Sequence, residues 1–357
     1  CRLKTASEAS VAMHIVLAHS HANTFGGGER AVLELARGLA SEHEVRLLLG
    51  GFDMRRTYPD LASWPHQRVG RLQWPVLGVQ ADAIVTNTFG ANLLALRNGR
   101  RVVYWVHTVR SIFLTQGARR IDLLLRRALD RVAVRRVAFI VANSRYTARS
   151  IRRLYGREAD AVVYPGVDLE FYQPVGERGR YALTVGRLSP EKGLDRLLDA
   201  WRELPELPLH VVGTGAHDFV EELRARAKGS TVVFRGPLTP EQLAQEYRGA
   251  AVAVFTPYRE ELGIAPLEAM ASGIPVVAWR EGGLVETIVD GETGYLASDA
   301  VILRQRVRLL LHDAQLWETL SHGARQRAQA FSWQRTVAEM SVLLKRVAGQ
   351  PAPIPRE

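Results

Sequence analysis

Glu260 and Glu268 stand eight positions apart in the stretch Glu260-Glu-Leu-Gly-Ile-Ala-Pro-Leu-Glu-Ala-Met-Ala-Ser-Gly-Ile-Pro-Val-Val-Ala278. Pro266 suits the first turn of a helix, where a missing N–H costs nothing. That spacing sets Glu260 just before the helix and Glu268 within its first turn, so both carboxylates could face one ligand. A carboxylate accepts hydrogen bonds from a vicinal diol, which suits a ribose at one end and a sugar at the other. Backbone amides around Leu262, Gly263 and Ile264 would point at an anion or sugar oxygen above the helix start. The plainer reading is a pair of helix-start acids that favour the helix dipole. A second constellation is cationic. Arg187 and Lys192 lie on Val185-Gly-Arg-Leu-Ser-Pro-Glu-Lys-Gly193, a loop shaped by Pro190 and Gly193. Two cations on one loop suit a diphosphate, although alone they read equally as solvated surface charges.

Gly26, Gly27 and Gly28 precede Glu29 at the start of a helical pattern, where bare backbone would admit a phosphate to helix N-terminal amides. The run also fits G-x-G-x-x-A. It lies too far beyond the first strand for a dinucleotide fold, however, and the second strand ends in Gly50-Gly51 without the ribose acid. His107 closes an apolar strand, a position more often structural than catalytic. Gly213 and Gly215, and Phe234-Arg235-Gly236, end two further strands and would let a flat ligand approach. No Ser/His/Asp set or P-loop lysine is present, and His14, His19 and His21 lack zinc spacing, so no metal site is expected.

These residues need a scaffold of strand ends. Met13–Ala18, Val45–Gly50, Ala83–Asn87, Val102–His107 and Phe139–Ala142 read as buried strands, with a helix over Glu29–Ser41 between the first two. A second series follows: Tyr181–Val185, Leu209–Val212, Val232–Phe234, Val252–Phe255 and Val276–Ala278. Helices are expected over Gly193–Leu204, Asp218–Lys228, Pro240–Arg248 and Pro266–Ser272. Alternation of this kind predicts an α/β fold of two doubly wound parallel sheets, with ligands at the strand C-termini. The expected divisions are a leader over 1–12, a first domain over 13–167, a linker over 168–179 and a second domain over 180–330. A helix over 331–348, expected to return to the first domain, and a tail over 349–357 complete the chain.

The Glu260–Ala278 stretch resembles the E-x7-E motif of the retaining nucleotide-sugar glycosyltransferases of family four. The other motifs fall in that family's order from Met13 to about Val347. The resemblance implies a GT-B fold, two Rossmann-like domains facing across a cleft. It implies that Arg187 and Lys192 hold the donor pyrophosphate and stabilise the leaving diphosphate. Glu268 would bind the donor ribose and Glu260 the sugar hydroxyls, aided by amides near Leu262–Ile264. Gly213, Gly215, Phe234 and Arg235 would flank the base. Gly26–Gly28 and His107 would complete the cleft, with Asn87 and Ser144 as further linings. Thr108 departs from the pattern, since many relatives have an acid there. The donor is a nucleoside diphosphate sugar, with GDP-mannose favoured by Tyr164–Asp168 and Gly26–Glu29 over UDP-glucose or UDP-N-acetylglucosamine. No cofactor is required beyond that donor. The acceptor is a glycan or lipid-linked hydroxyl, and the rivals are a small-molecule acceptor, a phosphorylase or epimerase, or a non-catalytic binding protein.

Composition adds bounds. The 357 residues carry 47 Lys+Arg against 37 Asp+Glu, a formal charge of +10, which suits anionic partners. No nucleic acid partner is expected. Cys1 is the sole cysteine, which excludes an intrachain disulfide. No apolar run reaches the roughly 18–20 residues of a membrane span, so a cytoplasmic protein is expected. Over Gln116–Arg136, Ile121, Leu124, Leu125, Ala128, Leu129 and Val132 form an apolar stripe bordered by Arg119, Arg120, Arg126, Arg127, Arg131, Arg135 and Arg136. Such a helix could lie on the anionic inner face of a membrane, or pack its stripe into its own core.

Overall fold

The structure is a computed structural model that describes residues 11–55, 57–108, 120–174 and 176–350. The chain divides into two compact units. The first holds the described residues through Asn143, then Thr147–Val163, and the chain from Trp333. The second holds Ser144–Tyr146 and Tyr164–Ser332.

The first unit is a parallel sheet of seven strands: β1 (His14–His19), β2 (Glu44–Leu49), β3 (His66–Arg68), β4 (Ala83–Thr86), β5 (Val102–Val106), β6 (Phe139–Ala142) and β7 (Ala161–Val162). Their spatial order is β3-β2-β1-β4-β5-β6-β7. β4 and β5 are buried throughout, as strands covered on both faces must be. Its helices are α1 (Gly27–Leu39), α2 (Ala95–Asn98), α3 (Arg120–Arg136) and α4 (Arg145–Tyr155), whose first residues group with the second unit.

The second unit has six parallel strands: β8 (Tyr181–Val185), β9 (Leu209–Val212), β10 (Val232–Gly236), β11 (Ala250–Phe255), β12 (Val276–Trp279) and β13 (Gly294–Ala297), in the order β10-β9-β8-β11-β12-β13. Around them lie α5 (Leu194–Trp201), α6 (His217–Arg226), α7 (Pro240–Gly249), α8 (Ile264–Ala271), α9 (Leu284–Thr287), α10 (Ala300–His312) and α11 (Ala314–Ala328). The last helix, α12 (Trp333–Val347), belongs to the first unit. Its Trp333, Met340, Leu343 and Leu344 share a core with Leu35, Ala36 and Leu39 of α1.

Four expectations change. The stretch 168–179, expected as a linker, lies in the second unit, where Val167 bridges to Ser332 and Tyr172 enters the core. β3, β7 and β13 were not foreseen. β3 is exposed along its length and β7 has two residues, so neither leaves an apolar run to read. α8 begins at Ile264, with Gly263 before it at φ 89°, so Glu268 is the fifth helical residue and stands in the second turn.

The fourth is α3. Gln116–Arg119 and the side chains of residues 120–123 lie outside the described residues. Beyond them the apolar stripe faces outward: Leu124 is 61% exposed, Leu125 60%, Leu129 45% and Val132 41%. The inward residues are Asp130, Ala133 and Val134. At 100° per residue the exposed apolar side chains span about 140° of the helix, opposite the buried face. Asp130 is held inside by Asn92, whose Nδ2 donates to its Oδ1 at 2.6 Å. Helical periodicity records that a stripe exists but not which side of the helix the core is on. No described helix is long and apolar enough to cross a membrane.

Candidate functional site

In an open parallel sheet, ligands gather beyond the strand C-termini where the strand order reverses. The second unit reverses between β8 and β11. Chain leaving β8 forms the Arg187 loop, a short turn over Pro190–Lys192, and then Gly193 in the left-handed region (φ 61°). Chain leaving β11 runs through Thr256 to Glu260. The two are stitched together: Thr256 Oγ1 donates to Gly193 O at 2.7 Å and Tyr258 N to Glu191 O at 2.8 Å. A Cβ on Gly193 would stand 1.8 Å from Thr256 O, so only glycine fits. Arg196 clamps the same loop. Its Nε donates to Thr256 O, while its guanidinium lies 3.9 Å from the Tyr258 ring centre and 3.5 Å from that of Trp279.

This stitching brings Lys192 Nζ to 2.6 Å from Glu260 Oε2, with the two side chains 30% and 15% exposed. Arg187 is more open and pairs with Glu191 at 3.3 Å. Arg259, just before Glu260, has φ 64° and is the one non-glycine residue with positive φ among those described, a costly conformation often found at functional sites. Behind it Gly283 N donates to Glu260 O at 2.8 Å. Gly263, the residue before α8, has no side chain with which to cap it. Glu268 Oε2 accepts from the buried Tyr247 hydroxyl at 3.0 Å, which directs its carboxylate.

The first unit reverses between β1 and β4. There His19 ends β1, Asn87 follows β4 and Gly26–Gly28 lead into α1. His19 Nδ1 bonds Asn87 Oδ1 at 2.7 Å, and Asn87 Nδ2 donates to Gly28 O at 2.8 Å. Glu29 Oε1 accepts from Thr24 Oγ1 at 2.5 Å and Thr24 N at 3.2 Å. Burial opposes ionisation of Glu29, but the nearby His19 and the bonds from Thr24 outweigh it and hold the carboxyl below its usual range. His107 follows β5, edge-on to Trp105, and its Nε2 is buried with no hydrogen-bond partner among the described residues. Burial, then the nearby His19, push its imidazole down to about 3, so His107 is neutral at physiological pH.

Two family models match this chain: Glycosyltransferase Family 4 over residues 25–171 and Glycosyl transferases group 1 over 170–327. Residues 25–171 thus resemble a Family 4 glycosyltransferase domain, and residues 170–327 a group 1 glycosyltransferase domain. Among curated relatives, a D-inositol 3-phosphate glycosyltransferase from Geodermatophilus obscurus is 36% identical over 228 residues, 56% of this chain and 50% of the relative. The sulfoquinovosyl transferase SQD2 of Arabidopsis thaliana is 34% identical over 161 residues, 44% of this chain and 31% of the relative. The chain thus spans about half the length of the curated relatives it matches first. Among solved structures, Anabaena HepE in complex with UDP-glucose superposes with a TM-score of 0.79 at 22% identity, covering 94% of this chain and 100% of that one. Sucrose-phosphate synthase from Thermosynechococcus elongatus gives 0.78 at 21%, covering 94% and 99%. The fold is GT-B.

Within the two units the predicted residues fall into distinct groups. Lys192 and Glu260 are in contact, with Arg187 on the same loop as Lys192 and Glu268 one helix onward. Leu262 is buried, so only its backbone could serve a ligand, whereas Ile264 is partly open. Gly213 is partly exposed and Gly215 exposed, but each turns its Cβ direction toward backbone. Cβ atoms there would stand 1.8 Å from Gly186 O and 2.0 Å from Leu188 O, so these glycines let the Arg187 loop pack. Phe234 and Arg235 lie on the edge strand β10, two strands from the reversal. Arg235 Nε donates to Glu246 Oε1 at 2.7 Å, and Arg224 covers Phe234. In the first unit Gly26, Gly27 and Gly28 are brought to the His19–Glu29 cluster near His107. Ser144 belongs to the second unit, where its hydroxyl donates to Glu261 O at 2.5 Å. Sequence reasoning missed the roles of His19, Thr24, Glu29 and Tyr247. A histidine ending the first strand and a glutamate directly after three glycines were the available signals.

Proposed function

We propose that this chain is a retaining glycosyltransferase that moves a hexose from a nucleoside diphosphate sugar to an acceptor hydroxyl. The observation that carries this reading is the Lys192–Glu260 contact at the β8/β11 reversal, with Glu268 eight residues on. In this reading Lys192 and Arg187 hold the diphosphate, Glu268 takes the ribose, and Glu260 takes the sugar hydroxyls. The bond between the anomeric carbon and the diphosphate oxygen breaks as charge builds on that oxygen, and the two cations stabilise it. The departing oxygen takes the acceptor's proton while the acceptor oxygen bonds the same face of the sugar, which retains configuration. No side chain is needed as a covalent nucleophile.

The donor is best described as a nucleoside diphosphate hexose. The stretches that favour mannose by resemblance have other work here. The Tyr164 hydroxyl donates to Glu286, Asp168 caps Glu170 and Phe171, and the loop glycines make room for Glu29 and His19. A polyol or sugar phosphate acceptor is favoured by the names of the curated relatives. Contact with an anionic membrane is favoured by the outward leucines of α3 beside the exposed Arg131, Arg135 and Arg136. The decisive experiment is titration calorimetry with UDP, GDP and ADP, followed by NMR of the product's anomeric proton. Binding of one diphosphate and retention at the anomeric carbon are expected. Absence of any diphosphate binding, or inversion, would sink the reading.

A further inference from the structure

Arg196 spends its hydrogen bonds on the main chain of consecutive residues, Nε donating to Thr256 O at 2.7 Å and Nη2 to Pro257 O. Its guanidinium also lies against two rings, 3.9 Å from the centre of Tyr258 and 3.5 Å from that of Trp279. The Tyr258 hydroxyl donates to Asp195 Oδ2 at 3.2 Å, and Tyr258 N to Glu191 O at 2.8 Å. Asp195 and Arg196 stand in the first turn of α5, directly after Gly193. The helix that starts beside Lys192 therefore also grips the chain leaving β11.

A little further on, the same chain is held again. Gly283 N donates to Glu260 O at 2.8 Å. Cβ atoms on Gly282 and Gly283 would stand 1.9 Å from Glu260 O and 2.1 Å from Glu261 O, so bare backbone is what fits there. Between the two grips lies Arg259, at φ 64°. Its side chain is exposed, so its own packing does not impose that conformation. A non-glycine residue keeps such a φ only where the surrounding structure over-determines it. Here the fixed points are the carbonyls held by Arg196 on one side and Glu260 O on the other. All of these contacts lie within the second unit.

We propose that Arg196 is a positioning residue of the donor site. By holding the carbonyls of Thr256 and Pro257 it keeps Arg259 in its left-handed turn, and that turn delivers the Glu260 carboxylate to Lys192. The consequence for sugar transfer rests on the transferase reading above, whereas the coupling of Arg196 to Arg259 does not. A guanidinium suits the task, because its planar fork reaches two carbonyls while its faces meet aromatic rings. An arginine that merely packs α5 would stabilise the fold without any bearing on Arg259.

The test is a double-variant cycle on the full chain, Arg196→Gln with Arg259→Gly, read first by urea denaturation. Glycine adopts this φ without steric cost. Arg259→Gly should therefore be more favourable to stability in the wild-type background than beside Arg196→Gln, where the turn has already relaxed. Arg259→Asn, which also tolerates positive φ, should follow glycine. Equal shifts in both backgrounds would overturn the proposal. Arg196→Lys serves if Arg196→Gln does not fold. The second readout is calorimetry with UDP, GDP, UDP-glucose and GDP-mannose. Arg196→Gln should weaken the full donor about tenfold and the bare diphosphate by less than about threefold, the pattern of a displaced Glu260. Adding Arg259→Gly should recover part of that loss. Lower stability with donor affinity unchanged would overturn the proposal and leave a packing role only. A wild type that binds neither diphosphate nor donor overturns the transferase reading instead, and the denaturation cycle still decides the coupling.

Discussion

At the strand reversal of the first unit, His19 and Asn87 are buried and bound to each other, whereas at that of the second, Lys192 and Glu260 meet in a pair 30% and 15% exposed. The glycines differ in the same sense. Gly26 and Gly28 make room for side-chain atoms of Glu29 and His19, while Gly193, Gly213 and Gly215 make room for backbone carbonyls. A buried network keeps its partners, because removing one leaves a desolvated group with no replacement. A pair that keeps some contact with water can exchange one partner for a diphosphate. The first site is thus built to hold a shape and the second to trade a charge.

The sharpest break of this contrast is Gly213→Ala. Its Cβ would lie 1.8 Å from Gly186 O at a φ of 143°, so the Arg187 loop has to move. We expect a stability loss on the order of 3 kcal/mol, seen in chemical denaturation, together with weakened diphosphate binding. Gly26→Ala should behave differently, because its Cβ meets the far end of a side chain. Stability should fall by less than about 1 kcal/mol and transfer should drop, with diphosphate affinity unchanged. If both variants lose diphosphate affinity equally, the separation of roles between the units is wrong.

Next in size is the pH dependence set by a buried acid outside both sites. Burial raises the Asp130 carboxyl from 3.8 to about 6, against hydrogen bonds from Tyr155 and Asn92. The folded state therefore binds this proton more tightly than the unfolded chain. The resulting stability is fully present below about pH 4 and is lost as pH rises through about 6, an effect of about 3 kcal/mol. Asp130→Asn should flatten that part of a Tm-against-pH curve and raise Tm near pH 7.5. A curve identical to wild type would show that Asp130 is not the group responsible.

Within the second site, Lys192→Ala should weaken diphosphate binding by about 1.5–3 kcal/mol, roughly ten- to a hundred-fold, since it also strands Glu260. Arg187→Ala should cost less, because its side chain is 65% exposed. Glu268→Gln should weaken the bare diphosphate and the full donor alike, whereas Glu260→Gln should weaken mainly the full donor. Calorimetry that finds Glu260→Gln as damaging to the bare diphosphate would reverse that assignment. The smallest effect concerns α3. Replacing Leu124, Leu125 and Leu129 with glutamine should leave Tm near wild type, since these side chains are already in water, but reduce sedimentation with anionic vesicles. A large fall in Tm would mean they are core residues after all.

Much of the fold could be read from the chain. Ten strands and the helices between them appear as apolar runs alternating with helical spacing, and Glu260, Lys192 and Arg187 appear as a cluster through their motifs. Edge strands such as β3 left no signal, because exposed residues in a strand need not be apolar. That Gly213 and Gly215 also make room for Gly186 O and Leu188 O left no signal, because the sequence marks a missing side chain but not what fills its place.

By itself, the sequence determined the elements and their alternation, since apolar periodicity acts through neighbours along the chain. It also set the identity of the charged residues at the second reversal. Only the tertiary structure decided which face of α3 is inside, which partner each glycine accommodates, and that His19, Glu29 and Asn87 are buried together. Each of those is a contact between segments distant in sequence, and burial is a property of all the segments that pack around a residue.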